Sequence, residues 1–123
     1  RVLPGRRRHS VEEYGIYMDS DSVMDELRAF VAARDWDQFH TPQNLAKSVS
    51  IEAAELLELF QWDDNVDPSR VQDELADVLT YCFLLAHKQG LNPEDIIRQK
   101  LAVTNTKYPV DKAKGSSAKY GQL

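Results

Sequence analysis

The chain has 123 residues and a formal net charge of −5 at pH 7, a length that favours one domain with one core. The acidic excess argues against a general nucleic-acid binder, because a polyanion would repel the protein. A single cysteine, Cys82, excludes a disulfide within the chain, and its apolar surroundings predict a buried structural thiol. We therefore expect a protein of a reducing compartment, the cytoplasm.

The N-terminal segment 1–17 is basic and has no hydrophobic signal core. We expect it to be a flexible leader, either an added remnant or an upstream extension, in front of a domain that spans residues 18–109. The longest apolar run, Val78 to Ala86, is too short for a bilayer, which needs roughly 20 residues. No membrane partner is expected.

Four helices are predicted from capping residues and apolar periodicity. Ser22 caps the first helix, which runs towards Trp36. The other three helices each begin with a capping side chain followed by proline at the first helical position, where the missing N–H costs nothing. These starts are Thr41-Pro42, Asp67-Pro68 and Asn92-Pro93, and the helices end near Trp62, Lys88 and Lys107.

The chain shows no alternating strand pattern, which predicts an all-α fold. From Leu75 to Ala86 the third helix is apolar on nearly every side, and a helix without a polar face is buried all round. Four helices of this length cannot cover one of their own completely. We therefore expect a second copy of the chain to do so, in a homodimer or a tetramer built from dimers. The lysine-, glycine- and serine-rich segment 110–123 is predicted to be a polar flexible tail.

Two helices carry acids on their apolar faces. At about 100° per residue, Glu52 lies inside the apolar stripe of the second helix and Glu55 flanks it by roughly 60°. Glu74 and Asp77 repeat this arrangement in the third helix. Glu58 has rotated outward and is expected to be solvated.

An ionised carboxylate at a core-facing position must be paired or bound to a metal. One alternative is a buried ion-pair network with Lys100 and Lys107, which share a face of the fourth helix. Metal binding is the preferred interpretation. Because the candidate ligands are carboxylates without a neighbouring histidine or thiolate, they favour Mg²⁺, with Mn²⁺ as the alternative.

These acids belong to a recognisable pattern. Glu52-x-x-Glu55 and Glu74-x-x-Asp77 resemble the metal-binding signature of the MazG-like nucleoside triphosphate pyrophosphohydrolases. The segments "RDWDQFHTPQNLA", "ELLELFQW" and "ELADVLTY" and the closing "KYP" are most similar to the dCTP pyrophosphatase branch of that superfamily. The resemblance implies a four-helix MazG-like bundle completed by homo-oligomerisation.

The resemblance also implies a chemistry, the hydrolysis of the α–β phosphoanhydride of a nucleoside triphosphate to the monophosphate and pyrophosphate. Its substrate would be dCTP or a modified dCTP, and its role the cleaning of the nucleotide pool. Either Glu52 or Glu55 would accept the proton of the attacking water. The implied metal ligands are Glu52, Glu55, Glu74 and Asp77, the implied base contacts are Trp36, His40, Trp62 and Tyr81, and the implied phosphate contacts are Lys100 and Lys107.

One departure bears on the substrate. Leu27 stands where the animal dCTP enzymes have a histidine, which puts a strict preference for cytosine in question. One alternative is therefore a pyrophosphohydrolase for another nucleotide, such as dUTP, a nucleotide with a damaged base or phosphoribosyl-ATP. A different class of protein, a non-catalytic cation-binding helical oligomer, is the further alternative.

Overall fold

A computed structural model describes residues 22–123, so the predicted leader, residues 1–17, lies outside the described part. The described residues form helices and no strand, which confirms the predicted all-α class. They fall into two compact units, of which the first ends at Gly90 and the second spans Leu91–Leu123. No helix in this part of the chain combines the length and the apolarity that crossing a membrane requires.

The first unit contains three helices and a short turn. Helix α1 spans Val23–Ala33, a 3-10 turn spans Asp37–Phe39, α2 spans Pro42–Glu58 and α3 spans Pro68–Lys88. Helix α3 packs along most of α2 and also against α1. The core of this unit is small, and it consists of buried Val31, Leu45 and Leu84 with Leu27, Tyr81 and Leu85 packed against them.

The predicted helix starts are confirmed. The side chain of Ser22 accepts a hydrogen bond from the backbone N–H of Asp25, and that of Thr41 accepts one from Asn44. Each such bond satisfies one of the N–H groups that a helix leaves without an internal partner. Proline occupies the start of α2 and α3 as predicted, and Asp67 caps α3 through Ser69.

Two predicted helix ends were too late. Helix α1 ends at Ala33 and not near Trp36, because Asp35 adopts a left-handed conformation with φ of 54° that turns the chain away. Helix α2 ends at Glu58 and not near Trp62. Beyond Glu58 the N–H groups bond to carbonyls three residues back, as in Phe60 to Leu57, so the chain tightens into turns.

The second unit contains α4 (Pro93–Lys107), α5 (Val110–Ala113) and a 3-10 turn at Tyr120–Gln122. The Tyr108 and Tyr120 rings meet edge to face with centroids 6.1 Å apart. The Lys107 ammonium lies 4.8 Å from the Tyr120 ring centroid, within the range of a cation–π contact. The segment predicted to be a flexible tail therefore has local structure, and its mobility stays a prediction.

The prediction of a buried Cys82 is wrong for the single chain, where this cysteine is exposed. It lies on a side of α3 that also leaves Leu75 43% and Leu79 50% exposed. This apolar surface is what the predicted oligomer would bury, although the oligomer itself stays a prediction.

Candidate metal centre and nucleotide pocket

Three carboxylates from two helices converge where α2 packs on α3. Glu52 and Glu55 are one turn apart on α2, and Glu74 faces them from α3. One carboxylate oxygen from each residue lies within 4.8 Å of the other two. We call these three residues the acid cluster. Glu58, at the end of α2, is exposed as expected.

The charged forms of two cluster residues are disfavoured by their surroundings. Loss of hydration raises the pKa of Glu52, and the charges of Glu55, Asp77 and Glu74 raise it further. The pKa of Glu74 is raised for the same leading reason, loss of hydration, followed by repulsion from Glu55 and Asp77. Without a bound metal, the surroundings of the acid cluster therefore favour the protonated forms of Glu52 and Glu74.

The Glu74 carboxylate supplies the observation that fits a cation. Its Oε1 atom is buried and accepts no hydrogen bond from any residue that the structure describes. A buried acceptor without a donor is costly, whereas a divalent cation would satisfy it. The other oxygens of the acid cluster lie close enough to share one ion, and hard oxygen donors suit Mg²⁺ or Mn²⁺.

Asp77, the fourth predicted ligand, lies beside the acid cluster. It is exposed and falls outside the group of oxygens within 4.8 Å of one another. Its charge nevertheless raises the pKa of both Glu52 and Glu74. The structure thus brings three of the four predicted ligands together and places the fourth at their edge.

Asp77 also lines a cavity of about 400 Å³ between α1, α3 and the 3-10 turn. We call it the aromatic cavity. Two rings from distant parts of the sequence, Trp36 and Tyr81, line it together with His40. A volume of this size suits a small organic ligand. The complete lining is Leu27, Phe30, Val31, Trp36, His40, Asp77, Thr80, Tyr81 and Leu84.

Trp62 is the predicted base contact that the first unit does not bring to this cavity. Its side chain is 89% exposed in the turns that follow α2, and it is not part of the lining.

Trp36 is fixed by contacts with α1. Its N–H donates to the Val31 carbonyl over 3.1 Å, and its ring meets Phe30 edge to face with centroids 5.6 Å apart. Sequence reasoning did not identify Phe30 or Thr80 as lining residues. Thr80 lies three residues after Asp77 and therefore on the same helical face, so periodicity alone could have found it.

The predicted phosphate contacts lie in the second unit, on α4. Both Lys100 and Lys107 are exposed, and Lys107 contacts Tyr120. Lys100 lines a shallow groove with Ile96, Ile97, Leu101 and Thr104. Their phosphate-binding role stays a prediction.

The chain also matches known proteins. A family model, that of the MazG-like family, matches residues 47–123. The chain belongs to the MazG-like family. It is 32% identical to dCTP pyrophosphatase 1 of Bos taurus. The alignment covers 99% of this chain and 81% of the bovine protein. The chain is 36% identical to dCTP pyrophosphatase 1 of Mus musculus, with 76% of this chain and 61% of the mouse protein aligned.

A solved structure agrees with these matches. A pyrophosphatase from Archaeoglobus fulgidus superimposes with a TM-score of 0.65 at 36% identity, covering 89% of this chain and 99% of the other. The predicted family is confirmed. The predicted class of enzyme, a nucleotide pyrophosphohydrolase, is confirmed at the level of these relatives, whereas the substrate and the metal stay predictions for this MazG-like chain.

Proposed function

We propose that this MazG-like protein is a Mg²⁺-dependent nucleotide pyrophosphohydrolase that cleaves dCTP or a modified dCTP to the monophosphate and pyrophosphate, and thereby cleans the nucleotide pool. The observation that carries the proposal is the acid cluster with the unpartnered Glu74 oxygen, together with an aromatic cavity whose lining includes Asp77, the acid at the edge of the cluster. The relatives support it, because those named for a substrate are dCTP pyrophosphatases.

The four acids have one task in this proposal. Glu52, Glu55 and Glu74 hold the ion, and Asp77 joins them from the edge of the aromatic cavity. When bound, Mg²⁺ or Mn²⁺ supplies positive charge against the triphosphate and makes a water molecule more acidic. A glutamate of α2, Glu52 or Glu55, accepts the proton of the attacking water.

The aromatic cavity holds the base. Trp36 and Tyr81 supply the faces for stacking, worth about 1–3 kcal/mol per base. The imidazole of His40 lies in the same lining and can donate or accept a hydrogen bond at the base edge. Trp62, exposed in the single chain, is proposed to reach a base only in the assembled oligomer. Lys100 and Lys107 remain the proposed phosphate contacts.

The assembly is proposed to be a homodimer or a tetramer built from dimers. Support comes from the apolar surface of α3, where Leu75 and Leu79 are half exposed. Contiguous apolar surface of this kind marks an interaction site. The proposed location is the cytoplasm, on the ground that the lone Cys82 is free.

The test is a turnover assay with the purified chain, Mg²⁺ and a panel of nucleotides that includes dCTP, 5-methyl-dCTP, dUTP and phosphoribosyl-ATP. We expect pyrophosphate and dCMP from dCTP in equal amounts. Release of orthophosphate alone would contradict pyrophosphohydrolysis. Faster turnover of another nucleotide would identify that nucleotide, and not dCTP, as the preferred substrate. If the parent chain hydrolyses no nucleotide and the Glu55→Gln variant shows the same lack of activity, the result favours the alternative of a non-catalytic, cation-binding helical oligomer.

A further inference from the structure

Two base-contacting residues, Trp36 and His40, lie outside the helices. They flank the 3-10 turn Asp37–Phe39 that joins α1 to α2, whereas their counterpart Tyr81 lies on α3. Trp36 is held to α1 through its bond to Val31, so the width of the aromatic cavity on the side of His40 depends on how this turn is held against α3. A base stacks well only if the rings that face it keep their separation.

Bonds within the turn region fix its shape. The N–H of His40 donates to the Asp37 carbonyl over 3.0 Å, and the Gln38 amide donates to the carbonyl and the carboxylate of Asp35. The Asn44 amide donates to the Phe39 carbonyl. All of these bonds join residues at most five positions apart, so they do not fix the turn against α3.

One contact makes that connection. The Lys88 ammonium donates to Oδ1 of Asp37 over 2.8 Å, and the two residues are 51 positions apart. Among the residues that the structure describes, every other side-chain hydrogen bond joins residues at most five positions apart. The pair therefore ties the middle of the turn to the last turn of α3.

The pair lies directly behind the aromatic cavity. A second cavity of about 340 Å³ contains both Asp37 and Lys88 in its lining, and it shares Val31, His40 and Leu84 with the aromatic cavity. His40 thus belongs to the wall between the two spaces. If the turn shifts on the side of the second cavity, His40 shifts with it. The wall of the aromatic cavity, where the base would bind, then moves as well.

The ends of the pair are suited to this task. Lys88 lies in the last turn of α3, where the helix dipole favours a cation, and its side chain is only 27% exposed. The hydrogen bond and the charge of Lys88 lower the pKa of Asp37, whose own side chain is 72% exposed.

We propose that Asp37 and Lys88 are positioning residues, which hold the turn, and with it His40, at the distance from α3 that the base requires. The inference rests on the proposed function, because the base site is that of the proposed substrate. Neither residue belongs to the acid cluster or to the lining of the aromatic cavity. Their loss should weaken nucleotide binding and leave the chemical step nearly unchanged.

The test is a double-mutant cycle with Asp37→Asn, Lys88→Met and the double variant, assayed with dCTP and Mg²⁺. Each single change is expected to raise KM about fivefold while kcat stays within about twofold. The double variant should show the same KM as either single one, because the pair acts as a unit. Lys88→Arg, which keeps the charge, should restore KM to within about twofold of the parent value.

The matched control is Glu94→Gln, which breaks another exposed ion pair, that of Glu94 with Arg98 on α4, and should leave KM unchanged. An unchanged KM in both single variants would overturn the inference, and so would additive effects in the double variant. If the parent protein hydrolyses no nucleotide, the proposed function fails on its own. The same cycle is then measured as the dissociation constant of dCMP by calorimetry, and absent or additive effects there would overturn the positioning role.

Discussion

A carboxylate oxygen of Glu52 on α2 lies within 4.8 Å of one of Glu74 on α3. Like charges at this distance repel, and the pKa of each group is raised in consequence of lost hydration and of neighbouring acids. The packing of α2 on α3 holds the two groups together nevertheless. The proposed ion would turn this unfavourable contact into a binding site, and the consequences can be measured.

The first prediction concerns metal binding. Glu74→Gln removes one charged ligand whose Oε1 atom is buried without a donor. We expect turnover of dCTP to fall by about 100-fold or more, and the rise in melting temperature caused by Mg²⁺ and nucleotide together to shrink. The control is Glu58→Gln, the same substitution at an exposed position. It should keep both the turnover of dCTP and the rise in melting temperature. Equal behaviour of the two variants would contradict the site.

The second prediction concerns pH. Because the pKa of Glu52 and that of Glu74 are raised by folding, the folded chain holds more protons than the unfolded chain between the ordinary and the raised values. The contribution of these groups to stability is therefore lost as pH rises through that interval. Without metal, Glu74→Gln should melt a few degrees above the parent chain at pH 7.5 and at the same temperature near pH 4. A variant that melts lower at pH 7.5 would refute the assignment.

The third prediction concerns the base. Trp36→Ala removes one stacking face of the aromatic cavity and the edge-to-face contact with Phe30. Stacking worth about 1–3 kcal/mol corresponds to a rise in KM for dCTP of about 5-fold to 150-fold. Trp36→Phe keeps a ring and should recover most of the affinity. Steady-state kinetics decide, and an unchanged KM in the alanine variant would exclude this ring from base binding.

The fourth prediction concerns assembly. Leu79→Lys places a charge on the apolar surface of α3, where Leu79 is half exposed. Light scattering should show a shift of the oligomer towards the 14.1 kDa single chain, because a buried unpaired ammonium is costly. Gln72→Lys adds the same charge at an exposed polar position of α3 and should leave the mass unchanged. A parent protein that is already a single chain would refute the oligomer.

The helix starts were predictable because their signals are local. The Ser22 and Thr41 caps, with the proline that follows the latter, specify the start of a helix within four residues. The inward direction of Glu52 and Glu74 was equally predictable, since helical periodicity alone assigns a residue to a face. The confirmed all-α class follows from these two kinds of local signal.

Features that depend on distant residues were not predictable. The pair of Asp37 and Lys88 has no signal in the sequence, because nothing in the sequence links two charged residues that are 51 positions apart. The burial of Cys82 also depends on distant residues. The single chain leaves it exposed, and the apolar run around it predicts cover from a second copy.

Helix α3 packs against both α2 and α1, and each contact carries a different part of the proposed site. Towards α2 it contributes Glu74 to the acid cluster, and towards α1 and the turn it contributes Tyr81 to the aromatic cavity. Under the proposed function, a substitution in α1 or the turn would therefore change the surroundings of the base and leave the acid cluster intact. Base preference and metal binding would then be separable by mutation within one small scaffold.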